Sequence, residues 1–167
     1  GRGSESEVSK YASESLFALG EFSNPFGIDI IVENHGGYSS DARWLVDVIK
    51  NSKLNNIGTL PDFGNFCIRS KPEQLSDWGA LGGCAVEYDK YKGVQELLPF
   101  ARSVSAKSIN FDEGGNCIEI DFFKMMKIVK NFGYRGYVSI EYEGTSHSEM
   151  DGIALTKRLM KKAWEAA

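Results

Sequence analysis

Apolar residues recur along the chain in two patterns that take turns. One places them three or four positions apart, as in Val8, Tyr11 and Leu16, which is the spacing of an amphipathic helix. The other is a short run rich in β-branched residues, as in 28–33, which is typical of a buried strand. Four strands are predicted, at 28–33, 57–62, 102–108 and 137–143, with five helices around them. This alternation indicates parallel strands joined by crossover helices.

The ends of the predicted helices carry their own signals. Ser4 and Glu7 form a capping box at the start of the first helix, and Gly20 is expected to end it. Asp121 is expected to cap the fourth helix and Ser148 to begin the last one. The polar, glycine-rich stretch 63–83 is predicted as a long connection, in which Trp78 is a candidate to line a pocket.

Composition narrows the class of protein. The 167 residues are 42% apolar and 25% charged with a net charge of −4, as in an ordinary globular chain of one domain. No apolar run approaches the roughly 18 residues of a membrane span, so no membrane partner is expected. The acidic pI of 5.3 provides no cationic surface for nucleic acid. The cysteines Cys67, Cys84 and Cys117 form no C-x-x-C pair and are predicted to be small buried or loop thiols.

Two parallel architectures fit the alternation of helices and strands, namely a doubly wound sheet and a (β/α)8 barrel. No G-x-G-x-x-G and no G-x-x-x-x-G-K-[ST] follows a strand, so the nucleotide-binding form of the sheet would lack its phosphate loop. In both architectures, functional residues gather at the C-terminal ends of the strands. The strand ends are therefore where candidate chemistry is expected.

A charged side chain stands at the end of every predicted strand. Because side chains alternate between the two faces of a strand, Glu33 and Glu141 are expected to point away from the apolar, helix-packed face. The same parity turns Asp62 and Lys107 inward, with Glu143 beside them. Carboxylates crowded in one cavity repel each other, so Lys107 or a divalent cation with oxygen ligands must compensate. The alternative is that each acid is solvated at the start of its loop.

These strand ends resemble those of the sugar phosphate isomerase/epimerase family, the xylose isomerase-like (β/α)8 barrels. The stretches that carry the resemblance are Ile31-Val32-Glu33-Asn34-His35-Gly36-Gly37, 58–66, Val104-Ser105-Ala106-Lys107-Ser108 and 136–144. The resemblance covers nearly the whole chain. It implies an α/β fold, the (β/α)8 TIM barrel, of which residues 1–167 would be a single partial domain: the C-terminal half, strands five to eight with their helices.

The resemblance also implies one divalent metal ion, Mn, Mg, Co or Zn. Members of the family hold it with Glu, Asp, His and Glu from strands five to eight, and by position these correspond to Glu33, Asp62, Ser105 and Glu141. Ser105 stands where the family usually has its histidine. It is therefore expected to be a weak ligand at most, and the carboxylates are expected to dominate the site.

The activity implied is metal-dependent isomerisation or epimerisation of a sugar, sugar phosphate or keto-sugar through an enediolate. Glu33 and Glu141 would remove and return the proton, and Lys107 would stabilise the enediolate. The candidate substrate-binding residues are His35, Asn65 and Glu143. His35 could equally be a loop histidine satisfied by the backbone. Two other functions remain open: a metal-dependent lyase or hydrolase acting on 3-keto-glycosides, and a non-catalytic sugar-binding barrel.

A half barrel would leave its first and last strands as bare edges. We therefore expect the chain to need the missing N-terminal half-barrel or a second copy, so that a homo-oligomer is predicted. Free cysteines favour a cytoplasmic protein weakly. A periplasmic or secreted location stays open, because a leader could have preceded a chain that begins mid-barrel.

Overall fold

The structure is a computed structural model that describes residues 3–71 and 83–167, so Trp78 lies outside the described residues. The α-helices are α1 (Glu5–Ser23), α2 (Ala42–Asn51), α3 (Lys90–Leu97), α4 (Phe122–Asn131) and α5 (Glu149–Ala166). The strands are β1 (Ile30–Glu33), β2 (Ile57–Leu60), β3 (Cys67–Ser70), β4 (Cys84–Glu87), β5 (Ser103–Ser108) and β6 (Tyr137–Tyr142). All the predicted helices and strands are present, with ends that shift by a few residues.

Four of the strands form a parallel arc in the order β1-β2-β5-β6. β1 pairs with β2 from Ile30 opposite Ile57, and β5 pairs with β6 from Ser103 opposite Tyr137. Two parallel bridges, one of them between Asp62 and Ser105, join β2 to β5. The predicted parallel order is thereby confirmed. Within the described residues, β1 and β6 each have a strand partner on one side only.

The core lies between this arc and the helices that cover its outer face. Val104 and Ala106 of β5 are fully buried, as are Leu45 of α2 and Met125 of α4. The capping box of Ser4 and Glu7 is present, and the side chains of Asp121 and Ser148 accept the expected backbone hydrogen bonds at the starts of α4 and α5. Among the described residues, no helix combines the length and the apolar character that a membrane crossing requires.

The prediction that Gly20 ends the first helix is wrong. The helix α1 continues to Ser23, and the chain turns at Gly27, whose φ of 65° is in the left-handed region. Gly20 is instead buried inside the helix, where a Cβ would collide with the side chains of Leu54 and Ile57. The glycine there permits close packing of the helix on its neighbours.

The prediction of a plain connection over 63–83 is also wrong. β3 and β4 form an antiparallel pair in and just beyond this region, and a disulfide joins Cys67 to Cys84. These two cysteines are therefore not free thiols, whereas Cys117 is free and buried. The strands escaped prediction because they are four residues long, irregularly paired and poor in β-branched residues. Since disulfides persist in oxidising compartments, the thiol argument for the cytoplasm is lost.

Candidate metal centre

Three carboxylates converge at the C-terminal ends of the parallel strands. Glu33 ends β1, Asp62 lies just after β2, and Glu141 lies near the end of β6. One carboxylate oxygen of each lies within 4.8 Å of those of the other two. Asp62 is fully buried, whereas Glu33 and Glu141 are partly exposed. Divalent cations such as Mg²⁺ and Ca²⁺ are bound by carboxylate oxygens gathered in this way.

The register of the strands explains why these side chains meet. Asp62 bridges to Ser105 across β2 and β5, and Lys107 lies opposite Glu141 across β5 and β6. Residues that are opposite each other in a ladder point to the same face, and so do residues two apart along a strand. Asp62, Ser105, Lys107 and Glu141 therefore share the inner face of the arc.

Lys107 is the cation that offsets this negative charge. Its side chain is only 2% exposed, and Nζ lies 3.2 Å from Glu141 Oε1 and 3.0 Å from Glu143 Oε2. It also lies 3.9 Å from Asp62 Oδ1. Burial lowers the pKa of Lys107, but attraction from Asp62, Glu143 and Glu141 outweighs burial and raises it. Lys107 is thus held in its charged form, and the carboxylates of Asp62, Glu141 and Glu143 share its single positive charge.

The two carboxylate oxygens of Asp62 differ in their hydrogen bonding. Oδ1 accepts hydrogen bonds from the backbone N–H groups of Gly64 (2.9 Å) and Asn65 (3.0 Å). Oδ2 is buried and accepts none from the described residues. Burial raises the pKa of Asp62 to about 7, against the opposing attraction of Lys107. Because an unpaired buried acceptor costs roughly 1–3 kcal/mol, the orphaned oxygen fits a group that needs a ligand.

The hydroxyl of Ser105 is hydrogen-bonded to a neighbouring carboxylate and is therefore not a free metal ligand. It is almost fully buried, and its Oγ donates a hydrogen bond of 2.7 Å to Glu141 Oε2. Burial raises the pKa of Glu141, but this bond and the attraction of Lys107 lower it overall. Ser105 therefore keeps Glu141 ionised and orients it. A direct bond from Ser105 to a metal remains a prediction.

The three candidate substrate-binding residues occupy different places. Asn65 lies inside the cluster, because its Nδ2 donates to Glu33 Oε1 (2.9 Å) and its Oδ1 accepts from Lys107 Nζ (2.9 Å). Glu143 reaches the cluster through Lys107, with 45% of its side chain exposed. His35 is exposed, and its backbone N–H donates to Ser39 Oγ (2.9 Å). Within the described residues, the structure thus groups Asn65 and Glu143 with the carboxylates but gives the ring of His35 no hydrogen bond to them.

Sequence reasoning missed one residue of this region, Asn34. It is polar yet 0% exposed, and its side chain hydrogen-bonds the backbone of Asp62. The sequence offered one signal, an asparagine directly after Glu33 at the end of a strand. Its buried position, however, depends on the neighbouring strand.

The parallel arc, with helices on its outer face and carboxylates at the C-terminal ends of its strands, has the architecture of a partial α/β barrel. The chain belongs to the xylose isomerase-like TIM barrel family, whose sequence profile matches residues 1–163. This match confirms both the family resemblance and the fold class predicted from the sequence.

The chain is similar in sequence to a deglycosidase subunit and in fold to two solved structures. The chain is 35% identical over 78 residues to a C-glycoside deglycosidase alpha subunit from Arthrobacter globiformis, an alignment that covers 43% of this chain and 22% of that protein. The fold is similar to that of D-psicose 3-epimerase from Clostridium cellulolyticum H10, solved with D-tagatose, with a TM-score of 0.60 and 12% identity over 99% of this chain and 57% of that one. It is also similar to a xylose isomerase-like TIM barrel protein from Mycobacterium smegmatis in complex with magnesium, with a TM-score of 0.63 and 18% identity over 96% of this chain and 52% of that one. The chain therefore spans about half the length of these solved structures and less of the deglycosidase subunit. At these identities, the structural likenesses show the fold alone.

Proposed function

We propose that this chain supplies the divalent-metal site of an enzyme that isomerises or epimerises a sugar or keto-sugar through an enediolate. The observation that carries the proposal is the convergence of Glu33, Asp62 and Glu141, together with the buried Oδ2 of Asp62, which accepts no hydrogen bond from the described residues. That a protein of similar fold is an epimerase supports the class of reaction.

The residues that would hold the ion are Glu33, Asp62 and Glu141. An oxygen-only set of this kind favours Mg²⁺ or Mn²⁺ over softer ions such as Zn²⁺, which is typically bound by imidazole or thiolate. A bound ion would polarise a sugar carbonyl and make the neighbouring C–H bond acidic.

The exposure of the three carboxylates supports different roles for the buried one and for the two partly exposed ones. Asp62 is fully buried, so it can bind an ion but cannot reach a substrate proton. Glu141 is 35% exposed in its side chain and Glu33 is partly exposed, so both can face a substrate in the mouth of the arc. They lie on the first and last strands of the arc, β1 and β6. We therefore assign them the removal and return of the proton on opposite faces of the sugar.

Two further residues would act on charge and orientation. Lys107 is held in its charged form, so it would stabilise negative charge that develops on a substrate oxygen. Asn65 contacts both Glu33 and Lys107, so a substrate hydroxyl that replaced either contact would be positioned between them.

A second candidate function is elimination or hydrolysis of a 3-keto-glycoside, with release of the aglycone. It is supported by the 35% identity to a deglycosidase subunit. Both reactions would begin with the same proton removal next to a carbonyl, and they differ in what leaves afterwards. A non-catalytic sugar-binding barrel is the third candidate, and it requires no proton transfer at all.

Hydrogen exchange with solvent tests the shared step. The Mn²⁺-loaded protein is incubated in D₂O with ketohexoses and 3-keto-glycosides, and deuterium at the carbon next to the carbonyl is followed by NMR and mass spectrometry. We expect incorporation by the wild type and its loss in Glu141→Gln. The control Glu14→Gln, at an exposed position on α1, should retain it.

The products then separate the candidates. A changed stereocentre or a moved carbonyl supports the isomerase or epimerase, and a released aglycone supports the lyase or hydrolase. Binding of a sugar without any deuterium incorporation would leave the sugar-binding barrel, and undiminished incorporation by Glu141→Gln would overturn the role given to Glu141.

A further inference from the structure

Asn34 forms a three-bond clamp on the loop that carries Asp62. Its Oδ1 accepts the backbone N–H of Asp62 (2.8 Å), and its Nδ2 donates to the carbonyl oxygens of Asp62 and Asn65 (both 3.1 Å). The side chain is 0% exposed. We propose that Asn34 is the positioning residue of the carboxylate site, an inference that rests on the proposed metal-binding function.

The clamp replaces strand pairing at the point where pairing fails. The β1–β2 ladder ends with Glu33 opposite Leu60, so the next residues in register are Asn34 and Pro61. Proline has no N–H to donate, and a regular ladder cannot continue through it. The amide of Asn34 instead bonds both backbone groups of the following residue, Asp62. Both backbone polar groups of Asp62 are therefore hydrogen-bonded, as they would be inside a sheet.

The same amide fixes the turn that aims the carboxylate. Asp62 Oδ1 accepts from the N–H groups of Gly64 and Asn65, which closes a turn over 62–65. Asn34 Nδ2 bonds the carbonyls at both ends of this turn, those of Asp62 and Asn65. A second bond, from Ser40 Oγ at 2.8 Å, also reaches the carbonyl of Asn65. The direction of the unpartnered Oδ2 therefore depends on Asn34.

The effect of the clamp extends to the other site residues. Asn65, held at its backbone by Asn34, uses its side chain to join Glu33 Oε1 to Lys107 Nζ. Asn34 also follows Glu33 directly in the chain. The buried amide of Asn34 thus orients two of the three candidate ligands, Asp62 and Glu33. It also orients Asn65, which contacts Lys107. Residues that orient metal ligands in this way typically contribute 10- to 100-fold to metal affinity.

The chain contains a matched control at the opposite end of the strands. Asn56 also makes three bonds through its Nδ2, to Gly20 O (2.9 Å), Ser23 Oγ (3.0 Å) and Ile28 O (3.4 Å). It lies directly before β2, whereas Asn34 lies directly after β1. Asn56→Ala therefore removes a similar clamp without touching the carboxylates. A purely structural role of Asn34 predicts that the two alanine variants behave alike.

The experiment measures Mn²⁺ affinity by electron paramagnetic resonance and, in the metal-free protein, amide hydrogen exchange by NMR. We expect Asn34→Ala to raise the Kd for Mn²⁺ roughly 10- to 100-fold, and Asn56→Ala to leave it within about threefold although both lower the Tm. Asn34→Ala should also speed exchange at the amides of Gly64 and Asn65 while β5 stays protected. If Asn34→Ala does not fold, Asn34→Asp is used, which keeps the acceptor for the Asp62 N–H and loses both donated bonds.

Each outcome decides one question. Equal loss of Mn²⁺ affinity in the two alanine variants, or unchanged exchange at Gly64 and Asn65, overturns the positioning role. If the wild type binds no Mn²⁺, the proposed function fails. The exchange measurement then decides the role of Asn34 alone, since faster exchange confined to 62–65 supports the clamp and unchanged exchange refutes it.

Discussion

Divalent-cation binding to this site should weaken steeply below neutral pH, because Asp62 must lose a proton to bind. Burial raises the pKa of Asp62 to about 7, whereas the pKa of Glu141 is lowered, so that Glu141 is already ionised across this range. Once the pH is below the pKa of Asp62, each further unit should reduce the apparent affinity about tenfold, or about 1.4 kcal/mol. Between about pH 8 and about pH 5.5, protonation of Asp62 alone should raise the Kd for the cation roughly 30-fold.

Isothermal titration with Mn²⁺ measures this dependence directly. Titrations near pH 6 in two buffers of different ionisation enthalpy should show release of about one proton per ion bound. Glu14→Gln, which changes an exposed acid on α1, should retain the same slope. A Kd that changes less than about threefold over this pH range would refute the assignment of a raised pKa to a ligand.

The stability of the metal-free protein should respond in the opposite sense. The pKa of Asp62 is higher in the folded chain than its ordinary value, so the folded state favours the protonated acid. Its contribution is fully present below about pH 4 and is lost as the pH rises through about 7. The Tm of the metal-free protein should therefore gain nothing from this group at pH 8, and Mn²⁺ should raise the Tm most at that pH.

Three further predictions concern the charge, the disulfide and the open edges. Lys107→Met should lower the free energy of unfolding by about 3–5 kcal/mol in urea denaturation, because it leaves the buried Asp62 and the partly exposed Glu141 and Glu143 without their cation. Lys92→Met removes a more exposed ion pair, with Glu96, and should lower it by less than about 1 kcal/mol. Equal losses in the two variants would contradict the charge-balancing role of Lys107. Reduction of the disulfide between Cys67 and Cys84, which are 17 residues apart, should lower the free energy of unfolding by about 3 kcal/mol. A thiol titration of the denatured, unreduced chain should find one free thiol, that of Cys117, rather than three. Within the described residues, β1 and β6 each have an unpaired edge, which a second copy of the chain could cover. Light scattering should therefore give a mass above the 18.5 kDa of one chain. A well-folded monomer would argue against closure by a second copy.

Much of the site could be predicted from strand chemistry alone. Parallel strands bring their C-terminal ends to one edge, and a period of two decides which side chains share a face. These two rules are enough to group Asp62, Lys107 and Glu141 from the sequence. The structure places these three residues together on the inner face of the arc.

The features that escaped prediction depend on contacts between distant parts of the chain. Gly20 has the chemistry of a helix end, but close packing against Leu54 and Ile57 requires it inside the helix. The pairing of Cys67 with Cys84 follows no spacing rule, because a short irregular hairpin brings them together. In the sequence, Asn34 is an ordinary polar residue after a strand, and its role emerges only once the register of β1 and β2 is known.

The proposed function depends on Glu33, Asp62 and Glu141 binding one divalent cation together. Anomalous diffraction from crystals soaked in Mn²⁺ tests this binding most directly, since the signal locates the ion without assuming its ligands. We expect a single strong peak bounded by these three carboxylates, with Asp62 Oδ2 among the coordinating atoms. A saturating soak that leaves no peak there, or that places the ion elsewhere on the chain, would contradict the assignment of these residues as metal ligands.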